Sequence, residues 1–232
     1  MKAKPRTTAA LVLKVLPIVL LLGLATTGFA DTKEELDNRV RKLMAQFDSL
    51  QSDAKARIPA KTLEKAKGVI VMDRTKGGFI VGYEQGFGVA MVKNKGEWSP
   101  FSFMSSHEGS FGAQIGGKST FAVILLMTDG ARDRLASSKV DFGGEAGGTG
   151  GSSSGGVGED FTQNPVIVFG QSKGVYGGAV VKGGSVSAND KANQDYYGQF
   201  HSIKDILFDG KVKSSETAEE FAKKLEEAAK GK

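Results

Sequence analysis

The chain has 232 residues, no cysteine and a formal net charge of +5. The missing thiol excludes disulfides, a lipid-modified cysteine and thiolate metal sites. The positive excess is concentrated at the front: losing Lys2, Lys4, Arg6 and Lys14 with a leader would bring +5 down to +1, so no nucleic-acid partner is implied.

Residues 1–30 read as a secretory signal peptide. A basic start precedes an apolar run from Val15 to Ala25, and small residues lead to an expected cleavage after Ala30. The run is short for a membrane span. The protein is therefore expected to be periplasmic or secreted, leaving about two hundred residues for one domain.

Residues 31–58 form the first structural segment. Leu36, Val40, Leu43, Phe47 and Leu50 recur at helical spacing, with Asp31 or Thr32 as cap. Basic residues lie off this stripe, so the helix fits either a membrane interface or its own domain. Asp37, Asp48 and Asp53 argue for the second. Pro59 breaks the helix, and Ala60 to Lys67 makes a short second one.

From Gly68 to about Ser187 the sequence is β-rich and dense in glycine. Expected strands are Val69–Met72, Phe79–Tyr83, Gly86–Val92, Trp98–Phe103, Phe111–Gly116 and Phe121–Met127. Turns are expected at Thr75-Lys76-Gly77, Glu84-Gln85 and Asn94-Lys95-Gly96. Phe121–Met127 is apolar enough for burial on both faces. Asp129-Gly130 ends it, and Ala131–Ser137 adds a helical turn or two.

Gly143–Gly158 is compatible with a linker or with small-residue strands. The run Val166–Phe169, Gly170-Gln171-Ser172-Lys173-Gly174, Val175-Tyr176 repeats the pattern of Val69–Phe79, so two related hairpins are expected. Ser202 caps a helix over Ile203–Phe208 ending at Gly210, and a last helix starts at Thr217 with Glu220 completing a capping box.

Two catalytic motifs are present in letters only. Gly112-Ala113-Gln114-Ile115-Gly116-Gly117-Lys118-Ser119 fits a phosphate-loop pattern, which needs a helix after it; Thr120–Met127 favours a strand. Gly170-Gln171-Ser172-Lys173-Gly174 fits a nucleophile elbow, which also needs a following helix; Val175–Val181 is not one. The two histidines are His107 and His201, and His107-Glu108 beside Gly109 reads as a solvated loop. No enzyme, cofactor or metal is expected.

What recurs is lysine beside glycine, including Lys67-Gly68, Lys76-Gly77-Gly78, Lys95-Gly96, Gly117-Lys118, Lys173-Gly174 and Lys182-Gly183-Gly184. Turn amides with an adjacent ammonium suit a phosphate or lipid headgroup, although such turns are also ordinary solvated hairpins. Lys76, Lys118, Lys173 and Lys182 are the candidate lipid-binding residues.

These features together resemble the SYLF family. The matching residues are Ala66-Lys67-Gly68-Val69, Lys76-Gly77-Gly78-Phe79, Gly86-Phe87-Gly88, Trp98-Ser99-Pro100, Gln114-Ile115-Gly116, Ser172–Gly178 and Asn193-x-x-Tyr196-Tyr197-Gly198. The resemblance spans about Pro59 to Gly210, within the segment 59–232. It implies an α+β fold: a glycine-rich, mainly antiparallel β-core, barrel-like in one reading, flanked by N- and C-terminal helices. It also implies a non-catalytic domain that binds anionic phospholipid at a membrane surface, with Leu36–Leu50 placed where relatives use a membrane-contacting helix. A structural or protein-interaction role in the envelope is the alternative.

Overall fold

The computed structural model describes residues 30–54, 56–78, 81–111, 118–137, 139–141, 165–172, 175–176 and 185–231. Within these, only the backbone is described for 76–78, 81–84, 107–111, 118–119, 139–141, 171–172, 175–176 and 185. The expectations for residues 1–29, for Gly143–Gly158 and for Lys182 lie outside the described residues.

The strands are β1 (Gly68–Gly78), β2 (Val81–Asn94), β3 (Glu97–Trp98), β4 (Ser102–Phe111), β5 (Lys118–Leu126), β6 (Lys139–Asp141), β7 (Val166–Ser172), β8 (Val175–Tyr176) and β9 (Ser185–Ala188). The helices are α1 (Lys33–Ser52), α2 (Ala60–Lys65), α3 (Asp129–Asp133), α4 (Asp190–Tyr197), α5 (Ile203–Leu207) and α6 (Glu216–Ala229). The strands form one antiparallel sheet in the order β6-β9-β4-β2-β1-β5-β7-β8, with β3 added to β2. Among the described residues β6 and β8 are its open edges, so it is a sheet and not a barrel.

Alternation along each strand sends successive side chains to opposite faces, and helices cover both. One face sends Val69, Val71, Val89, Phe103, Val123 and Leu125 into a core shared with α1, α2, α4 and α6. The other sends Ile70, Met72, Val92, Met104, Ile124 and Leu126 against Leu135 and α5. That is why Val69-Ile70-Val71-Met72 is apolar without alternation: all four are buried. The expectation of two-sided burial for Phe121–Met127 holds for the same reason.

Several expected boundaries are corrected. Thr75-Lys76-Gly77 is no turn: β1 runs straight through it to Gly78, and β2 runs straight through Glu84-Gln85. The two expected strands Phe79–Tyr83 and Gly86–Val92 are thus one, and the turn follows Gly78. Lys76 consequently sits within a strand, whereas Lys173 lies between β7 and β8, so the two hairpins are not equivalent. His107-Glu108-Gly109 belongs to β4 and is not a loop.

Long-range pairing overrides glycine and lysine here because each position of β1 from Gly68 to Lys76 has a partner in both β2 and β5. The expected turn at Asn94-Lys95-Gly96 does form. Lys95 (φ 53°) and Gly96 (φ 95°) both have positive φ, as a tight right-twisted hairpin needs.

At the ends of the chain, Thr32 caps α1 in a capping box with Glu35. Ser202 caps α5 as expected, but the cap of α6 is Ser215, two residues before the expected Thr217, which lies within the helix. The helix α4 was not anticipated; Asn189 caps its start and Gly198 (φ 77°) ends it.

Candidate functional site

Several glycine and polar motif residues among the described ones are structural. Asn193 of α4 is buried; its Oδ1 accepts from the Phe103 amide (2.8 Å), and its Nδ2 donates to Ser102 Oγ (3.1 Å) and the Phe103 carbonyl (3.3 Å). Tyr197 donates to the Phe101 carbonyl at 2.6 Å, and burial pushes its phenol well above the ordinary tyrosine range. In the Trp98-Ser99-Pro100 motif, Ser99 Oγ accepts from the Val92 amide at 3.1 Å and so braces the end of β2. At Gly88 a Cβ would strike the Val71 carbonyl oxygen and Met72, so only glycine lets β2 lie this close to β1.

Tyr196 joins three elements. Its hydroxyl donates to Asp37 Oδ1 (2.6 Å) and lies 2.7 Å from Ser215 Oγ, while Lys33 Nζ donates to Asp37 Oδ2 at 2.7 Å. Burial alone would raise the Asp37 carboxyl; hydrogen bonds from Lys33, Tyr196 and Thr217 outweigh it and hold Asp37 below the usual carboxylate range.

The catalytic patterns fail where expected. The residues after the phosphate-loop pattern form β5, a strand, with Lys118 and Ser119 already in it. Ser172 closes β7 and pairs with Val175 of β8, so the elbow pattern is a hairpin. In each, the described residues that follow are strand, where the motif requires a helix.

The candidate lipid-binding lysines divide. Lys76 and Lys118 are direct Cα partners on β1 and β5 at one end of the sheet. Lys76 faces Glu84 of β2 on its other side, and Glu84 faces Glu108 of β4, so the row is basic on the β5 side and acidic on the β4 side. Lys173 follows Ser172, the partner of Thr120, and itself lies outside the described residues, as does Lys182.

The opposite end holds a cation cluster that the sequence reading did not select. Lys65, Lys67, Lys93, Lys95 and Arg132 line a cleft of about 500 Å³, with Glu64 as the acid in its wall. The backbone fixes it: the Lys67 amide donates to the Leu126 carbonyl and the Lys93 amide to the Lys67 carbonyl, each at 2.8 Å. Lys93 Nζ donates to the Glu64 carbonyl (2.9 Å) and lies 4.9 Å from the Trp98 ring centre. Burial depresses the Lys93 ammonium below its ordinary range, the neighbouring Lys67 adds to this, and Glu64 and Glu226 oppose it. Arg132 is braced by Asp129 (3.2 Å) and Asp133 (2.7 Å).

The apolar stripe of α1 is fully committed to the core: Leu36, Val40, Leu43, Phe47 and Leu50 are all buried. This corrects the placement of Leu36–Leu50 as a membrane-contacting face. No helix among the described residues is long and apolar enough to cross a membrane.

A helix-covered antiparallel sheet carrying surface cations defines an α+β module. Residues 107–228, more than half the chain, match the family described as "Ysc84: Las17-binding protein actin regulator", and the chain belongs to that family, the SYLF family of the sequence resemblance. It is 28% identical over 185 residues to Protein YSC84 of Saccharomyces cerevisiae, covering 74% of this chain and 38% of that protein. It is 26% identical to LAS seventeen-binding protein 3 of the same yeast, covering 74% and 39%. It is 27% identical to SH3 domain-containing protein PJ696.02 of Schizosaccharomyces pombe, covering 76% and 43%. The chain thus spans about two fifths of the length of these curated relatives. No solved structure matches it.

Proposed function

We propose that this protein is a non-enzymatic, exported binding module that engages anionic phospholipid headgroups at a membrane surface. The observation carrying the reading is the register that sets Lys76 beside Lys118, roughly 5 Å apart as cross-strand partners. Pairing two lysine positions across neighbouring strands concentrates positive charge at that end of the sheet, which suits an anionic headgroup. Lys173 and Lys182 remain candidates on sequence grounds. Export rests on the leader-like residues 1–30.

Co-sedimentation of the chain lacking residues 1–30 with vesicles rich in phosphatidylglycerol tests the headgroup reading. Binding at low salt, reduced several-fold in Lys76→Ala/Lys118→Ala but not in Lys61→Ala, is expected. Equal binding by all three proteins would sink it. N-terminal sequencing of the protein from its native cell checks export: a chain beginning at Asp31 is expected, and an intact leader contradicts it.

The names of the relatives favour a second reading, a surface that holds a partner protein. An exported chain would not meet actin or its regulators, so the partner would be an envelope protein. Specific capture of one such protein by a chain that ignores acidic vesicles would establish that reading instead.

A further inference from the structure

The cleft at the other end of the sheet is a separate feature. Lys67 and Lys76 are nine residue steps apart along β1, roughly 30 Å at about 3.3 Å per residue. Several lysines elsewhere on the described surface are neutralised locally, as Lys42 is by Asp73 (2.9 Å) and Lys224 by Asp48 (2.7 Å). Lys65, Lys67, Lys93 and Lys95 have no carboxylate within 4.0 Å among the described residues, yet they converge on one concavity.

The convergence is built by the fold. The β1–β2 register pairs Gly68 with Val92, so Lys67 and Lys93 flank it, and a backbone hydrogen bond joins them. Lys95 is held with φ at 53°, a region that a lysine occupies at a cost and that asparagine or glycine fills more easily. Lys93 is half-buried and desolvated with only a carbonyl and an aromatic ring as partners. Three exposed lysines gathered around the partly desolvated Lys93 repel it and one another, and an anion in the cleft offsets that repulsion.

We propose that this cleft is a binding site for a polyvalent phosphate anion, held by Lys65, Lys67, Lys93 and Lys95 with Arg132 at its wall. Four ammonium donors suit a ligand with several phosphate oxygens, since lysine meets phosphate as a point charge that needs no fixed bidentate geometry. Glu64 contributes its carbonyl to Lys93 and leaves the lining strongly positive. The phosphate belongs either to a soluble molecule or to a headgroup presented to the cleft.

Trp98, the single tryptophan, stands against Lys93 and reports on the site. Titrating the chain lacking residues 1–30, which contains every described element, with inorganic pyrophosphate at low salt should give a saturable change in its fluorescence. Lys67→Ala and Lys95→Asn are each expected to weaken binding by roughly tenfold. Lys76→Ala/Lys118→Ala is expected to leave it unchanged. Lys95→Asn should also raise the melting temperature by roughly 2 °C, because it relieves the backbone at residue 95.

Loss of stability together with affinity in Lys95→Asn would mark a merely structural lysine and overturn its assignment. Flotation with vesicles containing phosphatidic acid separates the sources. Vesicle binding lost in the cleft variants, and kept in Lys61→Ala, assigns the phosphate to a headgroup; pyrophosphate binding alone assigns it to a soluble ligand. Neither probe binding saturably, or the cleft variants binding both as tightly as the native chain, overturns the inference. The headgroup reading of Lys76 and Lys118 fails separately, through that pair leaving vesicle binding intact.

Discussion

Asn193 illustrates how single residues hold this fold. It satisfies both backbone groups of Phe103 from a helix ninety residues away in sequence, at a point where β4 begins and water is excluded. Asn193→Ala leaves the buried Phe103 amide without its partner, the carbonyl keeping the Asn189 amide, and should cost about 1–3 kcal/mol in urea unfolding. Gly88→Ala acts on the other side of the same balance. The added methyl meets the Val71 carbonyl and forces β1 and β2 apart, for roughly 1–3 kcal/mol measured the same way. Both residues fall in motifs that the sequence displays, yet their roles were not legible there. Each depends on a partner fixed only by tertiary pairing: Gly88 was expected in a strand, but its close approach to Val71 and Met72 follows from the β1–β2 register. The caps at Thr32 and Ser202 were legible, because their partners are three residues away.

At the scale of elements, the β1–β2 hairpin decides how much of the site could be read. A tip at Thr75-Lys76-Gly77 was the natural reading of a Lys-Gly pair, and it misplaces every cross-strand partner. With Gly78 opposite Gly82, counting outward brings Lys67 beside Lys93, while Lys65 reaches the same cleft from the end of α2 and Lys95 from the turn after β2. The Lys67–Lys93 juxtaposition was hidden by the misplaced tip, and the arrival of Lys65 and Lys95 has no signal in the register. The stripe of α1 was legible as a stripe; its destination was not, since burial against α6 and attachment to a membrane need the same spacing. Phe47 settles it, meeting Phe221 edge-on with ring centres 6.2 Å apart. Phe47→Ala should cost about 3–5 kcal/mol, read as a fall in melting temperature. The α1–α4–α6 junction also carries a pH dependence. Asp37 has a lowered carboxyl pKa in the fold, so its stabilising effect is complete above the unfolded value near 4 and is lost as pH falls through the folded one. Asp37→Asn should therefore be less stable than the native chain at neutral pH, with the gap closing in acid. Tyr197 works in the opposite direction: its raised phenol stabilises fully below about pH 10, and that contribution is lost as pH climbs above it. Stability measured against pH should fall at both ends, and Tyr197→Phe should remove part of the alkaline fall.

Across the whole molecule, one sheet carries two cores, and neither can exist without the strands it shares with the other. Side chains of β1, β2 and β5 alternate between them, so Val69 and Val71 serve one while Ile70 and Met72 serve the other. Unfolding either helix layer exposes the opposite face of residues still needed by the second, which makes the sheet centre a single cooperative unit. The edges differ. β8 has two residues and β6 has three, each paired on one side only among the described residues, and such short edges present little unpaired backbone to other chains. Native-state hydrogen exchange should show this gradient directly. Amides of Val69 to Met72, bonded within a strand flanked by β2 and β5, should exchange only through global unfolding, with free energies that follow the urea-derived stability. Amides of Val175 and Tyr176 should exchange through local opening at lower free energy. Phe47→Ala, placed on one core only, should lower protection of Ile70 and Met72 on the opposite face as much as that of Val69 and Val71. If only the Val69 and Val71 amides lost protection, the two layers would be independent and the shared-sheet account would be wrong.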